Sequence, residues 1–161
     1  MFRDRDSAER AYNSLTSRGY TKDDVNVLMS DETRKKHFAD DPDSDLGNKA
    51  LEGAAVGAGI GGTLGAILAG VAAVGTLAIP GVGLIAAGPI AAALAGLGAG
   101  AATGGLVGAL VGAGIPEERA KLYEKGINEG GIVMGVEPRS DEDAEYFERE
   151  WKNYRGEHIY R

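Results

Sequence analysis

Apolar positions along this chain fall into two periods, separated by a long stretch that obeys neither. Near the N-terminus Ala8, Ala11, Tyr12 and Leu15 recur at helical spacing and form one stripe. Asp6 is expected to cap this helix, with Glu9 three residues on to complete a capping box. Gly19 should end it, because glycine accepts the left-handed conformation a helix C-terminus favours. Val25-Asn26-Val27-Leu28-Met29 is short and rich in β-formers, which predicts a strand. Residues 30–50 are polar, with Asp40-Asp41-Pro42-Asp43-Ser44-Asp45 as a loop and a helix expected to begin near Leu46.

The C-terminal part follows the same logic. Pro116 suits a helix start, and Glu117 and Glu118 suit the positive end of its dipole. Ala120, Tyr123 and Ile127 mark a buried face, and Gly130-Gly131 should stop the helix. Ile132-Val133-Met134-Gly135-Val136 predicts a second strand. Ser140 is placed to cap a last helix lined by Ala144, Phe147, Trp151 and Tyr154, and His158-Ile159-Tyr160 is expected as a short final strand. Phe147, Trp151 and Tyr154 read as core, with anchoring of Trp151 and Tyr154 at a bilayer interface as the alternative.

Residues 53–116 carry no charged residue at all, a run of 64 positions. Pro80-Gly81 and Gly88-Pro89 divide it into two arms, 53–79 and 90–114, of 27 and 25 residues. At ~1.5 Å rise per residue each arm is long enough to cross a hydrocarbon core of ~30 Å. Glycine normally weakens a helix by ~1 kcal/mol relative to alanine. Here it is periodic: Gly53, Gly57, Gly61 and Gly65 in the first arm, and Gly96, Gly100, Gly104, Gly108 and Gly112 in the second. Every fourth residue lies on one face, so each arm presents a groove free of side chains, which lets another helix approach closely. These nine glycines are the candidate helix-packing residues.

A transmembrane hairpin is the direct reading, but its insertion energy is small. Nine strongly apolar residues in the first arm supply about −3 to −5 kcal/mol. The connection over residues 79–89 is apolar throughout, whereas a loop emerging into water normally carries polar groups. That tip is therefore expected to stay at the interface, to re-enter, or to be buried in protein. If the arms span, Lys49, Arg119, Lys121 and Lys125 place both flanks in the cytoplasm.

Charge changes the picture only in the flanks. Residues 1–52 hold 9 basic and 12 acidic side chains and residues 115–161 hold 8 and 12, which gives −3 and −4 and accounts for the net −7. An acidic balance disfavours nucleic acid, since phosphate binding needs clustered cations. The single basic cluster, Arg34-Lys35-Lys36-His37, is surrounded by Asp31, Glu32, Asp40 and Asp41. With no cysteine there are no disulfides and no thiolate sites. The charged N-terminus has no apolar run after it, so no signal peptide is expected there.

Candidate chemistry is sparse. Gly57-Ala58-Gly59-Ile60-Gly61-Gly62 fits G-x-G-x-x-G, but no strand precedes it and no acid follows until Glu117, so no cofactor is expected. His37 and His158 read as solvated, and no metal site is expected. Asp23-Asp24, Glu117-Glu118 and Asp141-Glu142-Asp143 are explained by capping. No catalytic residue and no small-molecule substrate are evident.

Several segments resemble bacterial general stress proteins of the heat-induced type. They are Asp6-Ser7-Ala8-Glu9-Arg10-Ala11, then Gly19-Tyr20 and Val25-Asn26-Val27-Leu28, then Ala78-Ile79-Pro80-Gly81 and Ala87-Gly88-Pro89. The exit Gly114-Ile115-Pro116-Glu117-Glu118 through Tyr123-Glu124 to Gly130-Gly131-Ile132 continues the likeness, which covers most of the chain except residues 30–50. The resemblance implies a stress-type protein with a predicted membrane segment, and it offers no known catalytic residues to carry over.

The expected architecture is α+β: a small head of ferredoxin-like type made from residues 1–50 and 115–161, interrupted by a glycine-zipper helical hairpin over 51–114. Only Met1-Phe2-Arg3 precede the first helix, so completion of the sheet between subunits is one arrangement open to it. The expected function is non-enzymatic and structural: self-association into a homo-oligomer through the glycine faces, with membrane lipid as the second partner. The alternative is a water-soluble cytoplasmic particle with the apolar hairpins buried inside.

Overall fold

The computed structural model describes residues 1–38, 84–88 and 99–161. Within them the chain runs α1 (Arg5–Thr16), β1 (Val25–Ser30), α2 (Asp31–Phe38), β2 (Leu84–Ala87), α3 (Ala99–Gly112), α4 (Glu117–Asn128), β3 (Val133–Val136) and α5 (Asp141–Asn153). The strands form an antiparallel sheet in the order β2–β1–β3, with Val27 opposite Ala87 on one side and opposite Met134 on the other. Helices and an antiparallel sheet that joins one strand from each flank to one from the middle of the chain make the class α+β.

Strand alternation divides the interior into two cores. Val25, Val27 and Met29 of β1, with Ile132 and Met134, face α1 and α5, where Ala8, Ala11, Tyr12, Leu15, Phe147 and Trp151 meet them. Leu28 and Val133 face the other way, onto Leu106, Ala109 and Leu110 of α3 and Ala120, Tyr123 and Ile127 of α4. The sheet is thus sandwiched between two helical layers. Phe2, Leu15, Leu28, Leu106, Leu110 and Ile127 are all fully buried, and each such side chain stabilises the fold by roughly 1.5–3 kcal/mol.

Local chemistry fixes the element ends, not always where the sequence suggested. The cap of α1 is Asp4 rather than Asp6: Asp4 is extended and its carboxylate accepts the Ser7 N–H at 2.8 Å. Asp6 already lies inside the helix, and Glu9 pairs with Arg5 instead of closing a capping box. Helix α2 occupies part of what reads as a polar stretch. Its start is capped by Ser30 Oγ, which accepts the Thr33 N–H, and Phe38 packs against the first core beneath the Arg5 guanidinium. Ser140 caps α5 as expected, accepting the Asp143 N–H at 3.1 Å. Residues 158–160 form no strand; His158 has φ of 52°. Their neighbour Glu157 instead exchanges backbone hydrogen bonds with Met1.

Two differences bear on the apolar segment. Residues 84–87, expected in its connecting tip, form β2 and pair with β1 inside the sheet. Leu106, Ala109 and Leu110, expected in its second arm, fill the second core. The acidic loop at 40–45, the helix start near Leu46, the whole first arm and the start of the second lie outside the described residues.

Candidate self-association surface

Helix α3 is the described part of the glycine-periodic segment, and its two faces do different work. Leu106, Ala109 and Leu110 point into the second core. Gly108 and Gly112 are exposed, and Val111 beside them is 43% exposed. A side chain added at Gly108 would meet nothing within 4 Å. The outward face is therefore a shallow apolar surface. Leu122 of α4 is also exposed.

Helix α3 also contains a break. Gly105 has φ of 58° and ψ of −159°, backbone that a residue with a side chain rarely adopts. The turn that follows Gly105 packs on the head. Gly100 and Gly104 lie before the break in the same element, while Gly53, Gly57, Gly61, Gly65 and Gly96 lie outside the described residues. Among the described residues no helix is long and apolar enough to cross a membrane.

The polar groups of the head are bonded to one another. The Asp143 carboxylate accepts the Tyr20 hydroxyl at 2.7 Å and the Arg18 guanidinium, and these two hold its pKa below the usual carboxylate range. The Tyr20 oxygen in turn accepts the Arg139 N–H at 2.7 Å, and Arg139 stacks over the Tyr20 ring. Asp24 is held low by the Thr21 N–H and hydroxyl, with Arg139 adding to it. Asp31 is lowered by Lys35 and Arg34, and Glu117 by Lys121. Capping and ion pairing thus keep these carboxylates ionised, whereas a general acid needs a raised pKa.

The histidines do not converge with them. The His37 backbone oxygen accepts from Arg5, and the His158 backbone oxygen accepts the Tyr123 hydroxyl. Among the described residues no three His, Asp or Glu side chains gather as metal ligands.

The clasp from Tyr20 to Asp143 and Arg139 was not read from the sequence. Tyr20 stands 123 residues from Asp143 and 119 from Arg139 along the chain, and no local pattern links them. No protein-family model, no curated protein and no solved structure matches the chain.

Proposed function

We propose that this protein is a non-enzymatic, stress-type structural protein that self-associates through its glycine-periodic helices, in or on a membrane. The observation that carries the reading is the uncharged run 53–116 with glycines at every fourth position in two arms. Burying those faces against copies of themselves gives close backbone approach without side-chain ordering cost. The exposed Gly108, Val111 and Gly112 face of α3 supports it, because that face makes no contribution to the head's own core. The finer architecture we propose is a head of ferredoxin-like type carrying the apolar helices, with both termini cytoplasmic. The motif likeness to heat-induced general stress proteins favours the same reading.

A second reading, a water-soluble particle with its apolar segments buried among themselves, is favoured by one specific feature. The segment expected at the tip carries strand β2, which is bonded to the head sheet. A tip tied to the head cannot sit on the far side of a bilayer.

Flotation of an untagged lysate on a detergent-free density gradient separates the two. Membrane association predicts that the protein floats with lipid and survives a high-pH wash. A dense, lipid-free, large species would reject the membrane and leave the particle.

A further inference from the structure

Gly105 breaks α3 at a position where neither the glycine period nor the packing asks for a glycine. Gly100, Gly104, Gly108 and Gly112 recur every fourth residue, and Gly105 stands outside that set. Among the described residues, the nearest atom that a Cβ at 105 would meet is a Glu124 carboxylate oxygen at 4.0 Å, an ordinary van der Waals contact. A methyl group therefore fits there. What the position does require is its backbone. A φ of 58° with a ψ of −159° lies in a region open almost to glycine alone.

The half of α3 after the break is fixed to the head. Leu106 and Leu110 are fully buried and pack with Tyr123 and Ile127 of α4. Its C-terminal end is closed at Gly114, with φ of 88°, where the Gly114 N–H bonds to the Val111 oxygen at 2.9 Å and the Ile115 N–H to the Leu110 oxygen at 3.0 Å. The half before the break, from Ala99, is helical too, so Gly105 sets the angle between them. In a straight helix, residues four apart lie within about 40° of one another around the axis. One residue outside helical φ/ψ turns the axis. It takes Gly100 and Gly104 out of line with Gly108 and Gly112, and a face that is continuous in the sequence stands in two pieces.

Glycine adopts helical φ/ψ about as readily as positive φ. With Gly105 helical, α3 would run unbroken from Ala99 to Gly112 and the four glycines would share one face. We infer that Gly105 is a two-state joint: α3 is broken in the single chain and closes into one continuous helix when the chain assembles. This rests on the self-association reading given above and adds its control. The fraction of chains with Gly105 helical scales the apparent affinity between copies.

The chain has no cysteine, so a nitroxide pair introduced through Ala101→Cys and Ala113→Cys reports the angle at Gly105. Sedimentation velocity compares the full unmodified chain, Gly105→Ala, and a ligated chain with D-alanine at position 105. L-alanine favours the helical state, and D-alanine favours positive φ. We expect self-association at least about fivefold tighter for Gly105→Ala and at least about fivefold weaker for the D-alanine chain. The spin–spin distance in the dilute unmodified chain should differ from that in Gly105→Ala. On assembly with excess unlabelled chain it should move to the Gly105→Ala value. Equal affinity in all three chains, or a distance that assembly leaves unchanged, would overturn the joint and leave self-association standing. Association by none of the three would overturn both.

Discussion

The α-amino group of Met1 donates to the backbone carbonyl of Glu157 at 2.8 Å, 156 residues away, and the Glu157 N–H returns a bond of the same length to Met1. This pair of hydrogen bonds ties Met1 to the C-terminal tail beside the sheet. It also buries an ionisable group. Burial lowers the Met1 ammonium from 8.0 to about 6, Glu157 opposing and Arg3 assisting.

That shift makes stability depend on pH near neutrality. Below about pH 8 the unfolded chain binds a proton that the folded chain refuses until about pH 6. Stability should therefore fall as pH drops from about 8 to about 6, by roughly 2–3 kcal/mol from this group, and level off below. Melting temperatures of free and Nα-acetylated protein across pH 5.5–8.5 check it. The acetylated protein should show the smaller slope, and equal slopes would refute the assignment.

Tyr20 joins the loop before β1 to the start of α5 by donating to Asp143 and accepting from Arg139. Tyr20→Phe removes both bonds and should cost about 1–2 kcal/mol, read by urea denaturation. A change below a few tenths would mean that the clasp is solvated and idle.

Leu106 and Leu110 lie in a segment that reads as membrane arm, yet both are fully buried in the head. Leu110→Ala should destabilise the head by about 2–5 kcal/mol. Gly108→Leu, on the opposite face with open space around it, should leave head stability within about 0.5 kcal/mol while weakening self-association. If Leu110→Ala is neutral, α3 does not pack on the head.

Gly88 has φ of 101°, and a side chain there would strike the β1 backbone at Val25 and Asn26. Gly88→Ala should therefore cost more than about 1–3 kcal/mol and detach β2 from the sheet. Hydrogen exchange at Val27 and Met29, whose amides face Ala87 and Ile85 of β2, should rise in that variant; unchanged protection would contradict the β2 pairing.

Where local chemistry decides, the elements could be read in advance. The stripe of Ala8, Ala11, Tyr12 and Leu15, the strand at Val25, the Ser140 cap and the Phe147–Trp151 face all appear as expected. The cap of α1 moved two residues because several acids near the start compete for one position, and only backbone geometry chooses Asp4. Helix α2 escaped notice because a polar helix with little apolar stripe resembles a loop; just Thr33 in it is buried. Strand β2 was hidden in a uniformly apolar run, where periodicity has nothing to contrast with. Of the nine candidate glycines, Gly108 and Gly112 are placed on an exposed face, and their spacing was legible because the glycine period is local.

The central claim is self-association through the glycine faces. Sedimentation velocity of the full chain, beside a Gly57→Leu, Gly61→Leu, Gly100→Leu, Gly104→Leu variant, tests it most directly. The account predicts a defined multi-subunit species for the unmodified chain and its loss in the variant, with the head still folded by circular dichroism. The same mass for both would contradict it.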